Sequence, residues 1–278
     1  MSAWIPDWVH RLPLLSPLRD AWPEHAREWP TLPSLQLAMA RAGLVNHAGH
    51  PVQLTAYSAS SAMAYERSVF DLAQLPVREN NWHDFFNVLA WMMFPRAKAA
   101  LNAAHCLDRG QALSGRRSRR RDKLTLFDES GVIVLTADPA LAVLLRGFRW
   151  RELFWQRRNA VLSAMRFLPF GHGLCEKALS PYIGMTAQAL LLPVSEGCLN
   201  GSDSSLRQAT DERLAALFTQ DVLPEDLLTP LPLLGIPGWH ADNAQETFYD
   251  NTQYFRAARS GSPAALAGQS ERTHTGRI

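Results

Sequence analysis

Three short polar sets interrupt otherwise apolar or small-residue stretches of this chain. The first is Asn81-Trp82-His83-Asp84-Phe85-Phe86-Asn87, after which no charge appears before Pro95 and Asn87 is the one strongly polar side chain. His83 and Asn87 stand four apart and share a helix face, with Asp84 beside His83. A segment apolar on nearly every side forms a buried helix. Buried imidazole, carboxylate and amide groups each need a partner. Such a set serves as a general base, as metal ligands or as a structural hydrogen-bond hub.

The second set, Lys98, Asn102 and His105, follows at spacings of four and three in an alanine-rich segment. Small neighbours let this face approach another helix, and Lys98 is suited to neutralise negative charge. The third, His172 and Glu176, is a helical pair whose two donors can reach one ion. It lacks the His-Glu-x-x-His order of zinc proteases, and Gly171-His172-Gly173 is only a lone Gly-x-Gly. Nucleophile elbows, Walker loops and dinucleotide fingerprints are absent.

The elements that must position these groups follow from local signals. Pro33 opens a helix that stops at Gly43, Asn81 caps the apolar helix carrying His83, and Pro95 begins the next. KLTLF and VIVLT, flanking Asp128-Glu129-Ser130-Gly131, predict a β-hairpin whose acidic tip is turn chemistry rather than a site. A short helix starts at His172, MTAQALLLPV reads as a strand, AVLSAMRFLPF as a buried strand, and LRQATDERLAALFTQ as an amphipathic helix.

Residues 1–33 hold four Trp and six Pro, an arm of short turns whose indoles lie on the main body. A second aromatic arm gathers Phe248, Tyr249, Tyr254 and Phe255. The expected fold is α+β: one mixed domain over 34–258 with apolar core helices, a small sheet including the hairpin, and a disordered tail over 259–278.

At 278 residues, 47% hydrophobic and 19% charged, the chain is globular rather than fibrous or disordered. Three cysteines without Cys-x-x-Cys spacing argue against a zinc knuckle and for a reducing compartment. Pro6 and Asp7 break the pattern of a signal peptide, and no apolar run reaches membrane-spanning length. A cytoplasmic protein without a membrane partner is expected. Net charge is only +2, yet between Arg109 and Arg158 twelve basic residues face five acidic ones. Arg116, Arg117, Arg119, Arg120 and Arg121, with downstream arginines among Phe148, Trp150, Phe154 and Trp155, suit a nucleic acid or another polyanion.

Asn81-Trp82-His83-Asp84 with Phe86-Asn87, then Phe94-Pro95-Arg96, Lys98 and Leu101-Asn102, resembles an uncharacterised bacterial family, the domain of unknown function DUF3025. The resemblance runs on through Arg121-Asp122, Thr125–Glu129, Phe170-Gly171-His172 with Glu176, and Leu234–Trp239 to Phe255-Arg256. It implies that these positions belong together and supplies no catalytic roles.

From the residues alone, the leading expectation is a metal-assisted or His-dependent hydrolase acting on an anionic, phosphate-containing substrate. His83, Asp84, Asn87, Lys98 and His172 would be catalytic. His83, Asp84, His172 and Glu176 would hold a divalent metal ion. The rival expectations are a non-catalytic nucleic-acid-binding module on the arginine run, and a purely structural role for every polar set.

Overall fold

Helix starts in this chain are set by local capping. In the computed structural model, which describes residues 2–22, 26–107 and 118–258, Thr31 accepts a hydrogen bond from Ser34 N and opens α1 (Leu32–Arg41) with Pro33 in its first turn. β1 (Gln53–Ala56), α2 (Ala62–Leu72) and β2 (Gln74–Val77) make a β–α–β crossover, the two strands pairing in parallel from Gln53–Gln74 to Ala56–Val77. Asn81 Oδ1 accepts from Asp84 N and caps α3 (Trp82–Met93), and α4 (Pro95–Cys106) follows after Phe94. The order continues α5 (Arg119–Ser130), β3 (Gly131–Thr136), α6 (Pro139–Arg146), α7 (Arg158–Ala164), β4 (Met165–Pro169) and α8 (His172–Lys177). β5 (Thr186–Pro193), α9 (Glu196–Leu199), α10 (Asp203–Phe218) and β6 (Leu228–Pro232) complete it. The mixture is α+β, as the sequence predicts.

Two compact units interleave in the sequence. Among the described residues, one draws on the stretches Met1–Gly131, Pro169–Ser180 and Ser202–Leu223, the other on Val132–Leu168, Pro181–Gly201 and Pro224–Ile278. In the first, α4 packs on α10 and α3 on α8. Asp211 of α10 accepts from the Arg96 and Ala97 amides and so satisfies the free donors at the start of α4. The arm lies on α3: Trp4 stacks on Trp82 at 4.8 Å, Trp8 meets Phe85 and Phe86 edge-on, and the Trp82 indole donates to Ala3 O.

The second unit carries a four-stranded sheet in the order β4-β3-β5-β6, with β5 and β6 antiparallel from Thr186–Pro232 to Leu190–Leu228. β3 is buried at every position. Tyr254 Oη donates to Met185 O and accepts from Leu234 N, and Tyr249 Oη donates to Gly235 O. The C-terminal aromatics thus sit down through polar tips as well as rings.

Two strand expectations are corrected. The predicted hairpin does not form, because KLTLF belongs to α5. Arg121, Leu124 and Phe127 are buried at a spacing of three, Leu126 is exposed, and Ser118 caps the helix through Arg121 N. Gly131 ends α5, where a Cβ would fall 2.4 Å from Phe127 O. AVLSAM lies largely in α7, leaving only Met165–Pro169 as strand. Among the described residues no helix is long and apolar enough to cross a membrane. The proposed tail over 259–278 lies outside the described residues, as do Arg116 and Arg117.

Candidate functional site

α5 ends where a turn is expected, and its C-terminal end faces α8 and α3. Asp128 and Glu129 sit in its last turn, beside His172 and Glu176 of α8 and His83 of α3. His83 Nδ1 stands 3.3 Å from Glu176 Oε2, and its Nε2 lies 4.0 Å from Glu129 Oε1. His172 Nε2 lies 3.6 Å from the same Glu129 oxygen, with Nδ1 3.9 Å from Asp128 Oδ2. The two imidazoles meet edge to face, centroids 4.4 Å apart. One donor atom from each of His83, Glu129 and His172 falls within 4.8 Å of the others.

Close backbone approach makes this possible, and it explains Gly171-His172-Gly173. A Cβ on Gly171 would lie 2.3 Å from Gly131 N, and one on Gly173 would lie 2.6 Å from Glu129 Oε2. Both glycines let α8 press against the end of α5. The lone Gly-x-Gly is a packing device here.

Behind the cluster runs a buried polar chain. Lys98 Nζ donates to Asp128 Oδ1 at 2.5 Å and to Asn87 Oδ1 at 2.9 Å, and Asn87 Nδ2 donates to Tyr65 Oη at 2.6 Å. Lys98 is 3% exposed, so its ammonium can persist only because these acceptors meet it. Burial pushes the Asp128 carboxyl up, but the charge and hydrogen bond of Lys98 outweigh it and leave the group below its ordinary value. Burial lowers His172 to about 3, against the pull of Asp128, so its imidazole is neutral and one nitrogen is free to bind a cation. Among the described residues its buried Nδ1 has no hydrogen-bond partner. Burial also raises Glu129, while His83 pulls the other way.

These groups line a pocket of about 200 Å³ whose walls include Tyr57, Tyr65, Glu66, Arg78 and Arg121. His83, Asn87 and His172 face it, Lys98 stands behind Asp128, and Glu176 braces His83 from outside. His105 lines its α4 side, and Asn102 Nδ2 donates to Oε2 of the lining residue Glu66 at 2.6 Å. Asp84 is placed otherwise than the sequence suggests. Its two oxygens take Arg78 Nη2 at 2.8 Å, Arg78 Nε at 2.9 Å and Arg78 N at 2.7 Å, so they hold the chain after β2 and are not spare for a metal. Sequence reasoning missed Glu66, Tyr65, Asp128 and Glu129. For the last two a signal existed, the spacing of three between Arg121, Leu124 and Phe127.

The arginine run is divided. Arg119 is exposed, Arg120 donates to Phe218 O and Gln220 O and so caps the end of α10, and Arg121 is buried at the pocket wall. Downstream, Arg151 pairs with Glu246 and Asp250, and Arg158 donates to Asn243 O. Much of the local basic excess is answered by partners far off in sequence. Cys175 is buried, which drives its thiol far above the ordinary range and leaves it inert.

The profile of a family described as protein of unknown function (DUF3025) matches residues 52–259. No curated protein and no solved structure matches the chain.

Proposed function

The chain belongs to the DUF3025 family, and on that premise we propose that it is a hydrolase assisted by a divalent metal held by His83, Glu129 and His172, acting on an anionic, phosphate-containing substrate. One observation carries the reading: three donors of the right type converge on one pocket, and the second nitrogen of each imidazole faces a carboxylate, Glu176 for His83 and Asp128 for His172. Two imidazoles and a carboxylate are a common set for zinc and iron, and carboxylates behind histidines fix ring orientation and raise ligand basicity. Zinc ligands bound at about 2.1 Å stand about 3.4 Å apart. Closing the donor triangle, whose atoms lie within 4.8 Å of one another, to that spacing asks for side-chain shifts of about an ångström.

Glu129 takes the role that the sequence assigns to Asp84. The cluster opens on the pocket, and a divalent ion held there by His83, Glu129 and His172 would supply an activated water for hydrolysis. Arg121 in the wall supplies positive charge for the substrate. Within the arginine run, Arg120 is committed to the end of α10. Three free cysteines favour a reducing, cytoplasmic setting.

Elemental analysis of the purified protein, and of apo protein reloaded with zinc, tests the proposal. About one ion per chain is expected in the wild type and none in His83→Ala or His172→Ala, with all three proteins folded by circular dichroism. Equal zinc in wild type and both variants, or none in the wild type, overturns it.

A further inference from the structure

Two carboxyl groups of the pocket, Asp128 and Glu66, have opposite surroundings. Asp128 owns the ammonium of Lys98. Glu66, on α2, receives instead the neutral amide of Asn102, which donates to Glu66 Oε2 at 2.6 Å and to Glu66 O at 2.9 Å. That two-point clamp fixes the carboxyl on the pocket wall it shares with His83, Glu129 and His172. The groups facing it are Tyr65 on its own helix, Lys98, His105 and Cys106 on α4, and Arg121 and Asp128 on α5. Lys98 is already spent on Asn87 and Asp128.

We propose that Glu66 is the proton donor and acceptor of this site, exchanging a proton with the group bound at the His83–Glu129–His172 cluster. The inference rests on the hydrolytic reading above and adds a residue to it. In hydrolysis the Glu66 O–H bond breaks as the leaving oxygen gains that proton, and the proton lost by the attacking water restores the carboxyl. Reaction thereby returns Glu66 to its starting state with one water consumed. Consistent with this assignment, burial first and the nearby Asp128 second raise Glu66 to about 7, while Asp128 lies below its ordinary value. Paired carboxyls driven apart in this way divide acid from base in acid–base enzymes.

Infrared difference spectra of the full chain, recorded against pH with and without zinc, test the assignment. A carboxylic-acid band titrating near pH 7 is expected in the wild type and absent from Glu66→Gln, which keeps the shape and the Asn102 contact. Bound zinc is expected to move its midpoint down by about one pH unit. Asn102→Ala removes the bond that favours the ionised form and is expected to move the midpoint up, a readout that holds if the glutamine variant fails to fold. A spectrum without such a band, or a midpoint that ignores zinc shown to be bound, overturns the role of Glu66. Absence of zinc binding alongside an intact neutral-pH band instead overturns the metal reading.

Discussion

Two polar clusters, one in each unit, differ in how completely their bonds are used. In the second unit Asn243 is wholly buried, and its amide donates to Leu234 O and Ile236 O. Its Oδ1 accepts from Gly238 N and Arg158, and its carbonyl from Arg158 and Tyr249. That amide ties a turn into the core and leaves nothing over. The His83–Glu129–His172 cluster in the first unit is looser: among the described residues His172 Nδ1 has no hydrogen-bond partner and lies 3.9 Å from Asp128, and the two Nε2 atoms lie 3.6 and 4.0 Å from Glu129 Oε1. Asn102 Oδ1, on the side chain that holds Glu66, also lacks a partner among the described residues. A saturated cluster holds structure, and an unsaturated one has capacity left for a ligand.

The sharpest way to break this comparison is Asn243→Ala. It strands two carbonyls, an amide and a guanidinium, so a loss of about 3 to 5 kcal/mol in denaturant unfolding is expected. Zinc content of the folded fraction is expected to stay unchanged. Loss of zinc there would show that the two clusters do not divide structure from function.

The next effect is pH-dependent. Glu66 has a folded value raised from 4.5 to about 7, so the folded chain holds a proton that the unfolded chain gives up. Its contribution is full below about pH 4.5 and is lost as pH rises through 7, amounting to about 3 kcal/mol at most because the carboxyl opens on a wet pocket. In apo protein Glu66→Gln is expected to flatten that fall in stability between pH 5 and 8. An unchanged slope would place Glu66 among ordinary surface acids.

Smallest is Glu176→Gln. It keeps shape and removes the charge behind His83, so zinc affinity is expected to fall about 10- to 100-fold with little change in melting temperature. Unchanged affinity by competition with a chelator would remove Glu176 from the site.

Much of the architecture was legible locally. Asn81 as a cap, Pro33 and Pro95 as first-turn residues and the uncharged run after Phe85 each act within four residues, and α1, α3 and α4 begin where they say. The site was legible in part: His83, Asn87, Lys98, His172 and Glu176 do gather. The rest was hidden for stated reasons. KLTLF alternates like a strand while Arg121, Leu124 and Phe127 repeat like a helix, and only packing of Phe127 on Phe170 and Phe218 decides between them. Glu129 was lost with that choice. Asp84 was misjudged because its partner Arg78 lies outside the helix that suggested a role.

By itself, then, the amino-acid order determined capping, helix phase, the apolar character of α3 and the α+β mixture, since these depend on neighbours a few bonds away. Only tertiary structure decided which polar groups spend their charge on each other. Arg78 takes Asp84 and Lys98 takes Asp128, while His83, Glu129 and His172 come together from α3, α5 and α8. Coulomb and hydrogen-bond energies fall away within a few ångströms, so separation in space, which one-dimensional spacing does not record, sets what each group is free to do.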